Sequence, residues 1–126
     1  MHDRVISGLL LVVAVIHLIP ISGFFGADRI ASLYGISVAD NNLAILMRHR
    51  AVLFGILGCL FAYAAFQPAL QPVAFLIALV SVASFLFLAA SIGDYNDAIG
   101  KVVIADGVAA IALGGAFLAY LIKPTS

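Results

Sequence analysis

Charge is scarce in this chain. Of its 126 residues six are basic and six acidic, 10% in all, while 65% are hydrophobic and the mean hydropathy is +1.24. Soluble domains carry about 25% charged residues, and so few charges cannot cover a soluble fold of this size. The surplus apolar surface must face a bilayer, so the sequence predicts an integral membrane protein. Net charge is zero, which offers no footing for nucleic acid or an acidic partner. Cys59 is the single cysteine. That excludes an internal disulfide, a Cys-x-x-Cys redox pair and a thiolate metal cluster. A four-helix oxidoreductase of the vitamin K epoxide reductase kind needs such a pair and is disfavoured. The polar–apolar alternation of a membrane β-barrel is missing. So are low-complexity tracts, linkers and internal repeats, and residues 1–126 read as one transmembrane domain. Nothing in the sequence calls for a cofactor or a metal.

What is present is four apolar runs, at about residues 5–25, 43–66, 72–92 and 101–122. Each approaches the ~20 residues that span a bilayer core. Backbone amides in hydrocarbon must be satisfied within the segment, so the runs are read as helices. The fold class is all-α, a membrane four-helix bundle with short loops. The first run follows a basic residue, as a signal peptide would, but continues to residue 25 and is expected to be retained. The third holds no charge at all. "QPALQP" at 67–72 predicts a tight hairpin between the second and third helices. Between the first and second, Asp28 could cap a short interfacial helix bearing Ile30, Leu33 and Tyr34, ended by Gly35. "GDYNDAIGK" at 93–101 is the most polar loop. Ala51, Gly55, Gly58 and Ala62 on the second helix, and Ala110, Gly114, Gly115 and Ala119 on the fourth, predict close packing within the bundle.

Four alternating helices gather the polar residues on one membrane face. His17 and Ser22 lie late in the first helix, Arg48, His49 and Arg50 early in the second. Asp94, Tyr95, Asn96 and Asp97 follow the third, and Lys101 and Asp106 open the fourth. A charge in hydrocarbon costs several kcal/mol unless it reaches water, a headgroup or a partner. Successive helical residues turn by ~100°, so the three residues of "RHR" cannot all face inward. Arg48 is nearly in line with Gly55, which predicts Arg48 as the buried arginine, Asp106 as its partner and Arg50 as the one that snorkels. The candidate ligand-binding residues are Arg48, His49, Asp106, His17, Tyr95 and Asn96. An Arg–Asp pair here reads more readily as a clasp between helices or a topology anchor than as a ligand site, and His17 more readily still as a histidine bonded to a backbone carbonyl or a neighbouring polar group. Lysine and arginine counts leave the orientation open.

With "HLIP", "LYGI", "LMRHRAVLFGILG", "QPALQP" and "YNDAIGKVVIAD" in view, the chain resembles a family of small four-helix bacterial membrane proteins related to the DoxX-like group. The likeness runs from His17 to about Ala110, most specifically in "RHRAVLFG" and "VVIAD". It implies a multi-pass protein of the bacterial inner membrane. Family members often carry the label phosphopantetheine adenylyltransferase. That activity needs a nucleotide-binding α/β domain with a Gly-rich strand-to-helix start and a paired-histidine motif, and four spans leave no room for it.

Three functions fit these residues. The first is a binding or accessory protein, holding a lipid-like or anionic molecule at the polar layer or joining a homo-oligomer or larger membrane complex. An arginine fork would grip the anion, with Phe54, Phe85, Phe87 and Phe117 around the apolar part. The second is an enzyme on a lipid or quinone-like substrate, with His49 or His17 as acid–base. It lacks an evident nucleophile, and metal catalysis would need His17, His49 and Asp106 to converge. The third is a transporter or channel, for which no span is unwound or polar along its length. An acidic residue in the first helix, as in small multidrug transporters, and a fluoride-channel phenylalanine box are both missing. The first reading is favoured.

Overall fold

The computed structural model describes residues 2–21, 26, 34 and 41–122, and contains four long helices. They are α1 (His2–Leu18), α2 (Asn41–Ala64), α3 (Gln71–Ile92) and α4 (Asp97–Ile122). Each is long and apolar enough to cross a membrane. Together they form the all-α bundle that the apolar runs predict. The chain order is not the packing order. α1 packs extensively against both α2 and α4, α3 leans on α4, and α2 and α3 meet only sparsely.

The ends of the helices follow from particular residues. At Pro20, which lacks an N–H and clashes with the preceding turn, α1 tightens into a 3-10 turn over residues 19–21. Residues 22–25, with Ser22, and nearly all of the expected interfacial helix lie outside the described residues, where only Tyr34, helical and buried, bears on it. The α2–α3 hairpin contains a 3-10 turn, Pro68–Leu70, with proline in its first positions. Here the Gln71 side chain donates to the Ala64 carbonyl at 3.2 Å, and Ser7 of α1 donates to the carbonyl of Ala65. The Ala64 carbonyl also accepts from the Gln67 N–H at 3.1 Å, so the carbonyls at the end of α2 are engaged by the turn and by α1 and α3.

The loop between α3 and α4 is shorter than the sequence suggests. Gly93 (φ 68°) and Asp94 (φ 51°) are both left-handed, and the Gly93 N–H reaches back to Ala89 at 2.9 Å. Asn96 then caps α4, accepting from the Ile99 N–H at 2.8 Å. Helix α4 therefore starts at Asp97 rather than near residue 101. Asp106 therefore lies nine residues inside it, about 14 Å along the axis, and not at its opening.

The core is small-residue and aliphatic, with Ile6, Leu10 and Val13 of α1 against Phe61, Ala78, Ala109 and Ala116. The α2 stripe packs inward as expected. A Cβ on Gly58 would come within 2.5 Å of Leu18 and 3.1 Å of the Ala14 carbonyl, and one on Gly55 within 2.6 Å of Ile21. On α4 the small residues divide. Gly115 approaches Leu9 and Ala119 is buried, but Ala110 and Gly114 are exposed and do not pack within the bundle. They lie on the rim that α4 presents with α3 to the outside.

Candidate functional site

A cavity of about 380 Å³ opens in the half of the bundle that holds the polar loops. All four helices contribute to it. α1 brings Ile16, His17 and Pro20, and α2 brings Arg50 and Phe54. α3 adds Ser81 and Phe85, while α4 adds Lys101, Val102 and Asp106. Tyr34 closes it from the segment between α1 and α2.

Arg50 is the centre of this site. Its Nη1 donates to the Tyr34 hydroxyl at 2.6 Å. Its guanidinium carbon stands 4.5 Å from the Phe54 ring centroid and 5.2 Å from that of Tyr34. Such placements over aromatic faces hold a partly desolvated cation. Phe54 is one turn along α2 from Arg50, so the helix itself stacks the pair. Tyr34 is fixed in turn by Asn96, whose side-chain amide donates to the Tyr34 carbonyl at 2.8 Å. Asn96 thus caps α4 and anchors the residue that holds Arg50. Asp106, half-buried on α4, lines the same cavity. Lys101 adds a second cation at the rim.

Deeper in the membrane lies His17, only 2% exposed. Its Nδ1 donates to the Val13 carbonyl at 2.9 Å, so the Ser81 hydroxyl donates to Nε2 at 2.8 Å. A carbonyl only accepts, which fixes the tautomer. The ring also meets Phe61 edge-on at a centroid distance of 4.8 Å. Both nitrogens are therefore engaged, as the backbone-bonded alternative expects, with Ser81 as an added partner on α3.

The structure divides the sequence candidates. His17 and Asp106 line the cavity, whereas Arg48, His49, Tyr95 and Asn96 do not. Arg48 and Arg50 exchange their expected roles. Arg48 is exposed and Arg50 is half-buried in the site, and it is Arg50, not Arg48, that lines the cavity with Asp106. Gly55 faces Ile21, the last described residue of α1. Arg48 does line up with Gly55, but lies seven residues, about 10 Å, beyond that contact. Described α1 offers nothing there to bury it. His49 is exposed too, so His17, His49 and Asp106 do not converge, and no group of three metal-binding side chains occurs among the described residues. Tyr95 lies on the surface beside Gly100. Of the four phenylalanines named for an apolar ligand, Phe54 and Phe85 reach the cavity. Tyr34, Ser81 and Lys101 are cavity residues that the sequence did not single out. Ser81 had one visible signal, a hydroxyl midway along the uncharged third helix.

Comparison of the chain with protein families, curated proteins and solved structures finds no match.

Proposed function

We propose that this small multi-pass membrane protein binds the anionic head of an amphiphilic molecule in the cavity around Arg50. The observation behind this reading is the setting of Arg50. A guanidinium is held half-buried by Phe54 and Tyr34, directed into a cavity where two cations, Arg50 and Lys101, face one carboxylate, Asp106. Charges are kept at such depth where they serve a partner or a function. The Tyr34 hydroxyl takes one donor of the planar fork at Nη1, and a bidentate anion would use others. Phe54, Phe85 and Val102 supply an apolar lining. The motifs in "RHRAVLFG" and "VVIAD" support a place near the DoxX-like proteins and, with that, the bacterial inner membrane.

Thermal unfolding in neutral detergent tests the reading. Dodecyl phosphate is expected to raise the Tm of the wild type and of Arg48→Gln, and to leave Arg50→Gln unchanged. Ligand at ten times its Kd contributes about 1.4 kcal/mol, which a thermal scan resolves. Equal stabilisation of all three proteins would refute the site.

A further inference from the structure

A second void of about 440 Å³ lies between α2 and α3, and shares Arg50, Phe54, Ser81 and Phe85 with the polar cavity. The remainder of its lining is apolar apart from Ser84, with Leu53, Val80 and Leu88 at its exposed margin. It exists because α2 and α3 meet only sparsely while the other neighbouring helices pack closely. The two voids together run from a pair of cations, through two phenylalanines, to a slot facing the acyl chains.

We propose that this slot is a lateral portal, through which a phospholipid of net negative charge from the surrounding leaflet enters with its headgroup at Arg50 and one chain between α2 and α3. The inference rests on the anion-binding reading above and names its ligand class and route. Two observations select a lipid over a soluble anion. Arg50 lines both the polar cavity and the apolar slot, which sets a head site and a tail site side by side. Among the described residues the head site sets Arg50 and Lys101 against Asp106, a balance that suits one phosphodiester rather than a polyanion. Depth agrees: Arg50 lies nine residues into α2, about 14 Å along the axis from its start. A guanidinium there meets a headgroup drawn below the interface, with the chain continuing alongside Leu57 and Ile77.

The chain has no tryptophan, so a single introduced indole reports its surroundings alone. Ser84→Trp places it at the slot. Ile104→Trp places it on exposed α4 at a similar depth, away from the slot. Each full-length variant is reconstituted in phosphatidylcholine vesicles doped with chain-brominated phosphatidylglycerol, or with chain-brominated phosphatidylcholine at the same fraction. The proposal expects Ser84→Trp to show an apparent preference of about tenfold for the brominated anionic lipid, the factor one charge-assisted hydrogen bond supplies. Arg50→Gln should abolish that preference and Arg50→Lys reduce it, while Ile104→Trp shows none. Helical circular dichroism checks that each variant folds, and Lys101→Gln, at the rim, should weaken the preference if Arg50→Gln does not fold. Equal quenching by both lipids at Ser84→Trp overturns the portal. If inorganic phosphate then raises the Tm in an Arg50-dependent way, the site takes a free anion and only the lipid route fails. If phosphate has no effect either, the anion-binding reading falls with it.

Discussion

Arg50 is held by several modest contacts rather than one strong partner: a hydroxyl and two ring faces. A planar guanidinium serves all of these together, and an ammonium does not. Arg50→Lys therefore keeps the charge but loses the stack on Phe54, and should weaken dodecyl phosphate binding about tenfold, on the scale of a desolvated cation–π contact. His17 and Ser81 form the bond that ties α1 to α3. Interhelical hydrogen bonds in membranes contribute about 0.6 kcal/mol on average and up to about 1.7. A double-mutant cycle with His17→Phe and Ser81→Ala should give a coupling in that range, measured as unfolding free energy in mixed micelles. A coupling of zero would leave the bond without energetic weight. At this scale the sequence is legible for residue type and poorly legible for direction. It placed His17 and Asp106 in a shared polar layer, and it misassigned the arginines. The rotation of Arg48 relative to Gly55 was sound, but burial also depends on whether a neighbouring helix extends that far.

The helices themselves were legible because hydrophobic runs of membrane length have one solution for their amides. Their ends were less so. The cap at Asn96 and the left-handed pair Gly93–Asp94 lengthen α4 by about four residues relative to the apolar run and carry Asp106 deeper. Nor does a pattern of small residues say which stripe meets a neighbour. On α2 it does. Gly58→Val would drive a methyl-bearing Cβ against Leu18 and the Ala14 backbone, and should cost about 1–3 kcal/mol by overpacking. Gly114→Val meets nothing within 4 Å and should unfold at the wild-type temperature or slightly above. Thermal scans of the two variants in one detergent compare these outcomes, and equal destabilisation would place α4 against another surface.

At the scale of the molecule, the apolar side chains left outside the bundle define its solvent. Ile92, Ile104, Phe87 and Ile111 are each at least 70% exposed, a pattern that fits acyl chains and not water. Cys59 is also on this outer surface of α2. In intact membranes it should resist a charged, impermeant maleimide and react after denaturation in SDS; rapid labelling without detergent would put water where the account has lipid. The inside of the same bundle gathers its polar groups towards one end, where α2 and α3 part and Arg50 is exposed to a cavity of about 380 Å³. Whether that cavity holds an anionic amphiphile is read most directly by native mass spectrometry of the protein released from mild detergent. The account predicts a bound mass of about one lipid on the wild type, retained in Arg48→Gln and lost in Arg50→Gln. Bare wild-type protein, or a bound mass indifferent to Arg50, would contradict it.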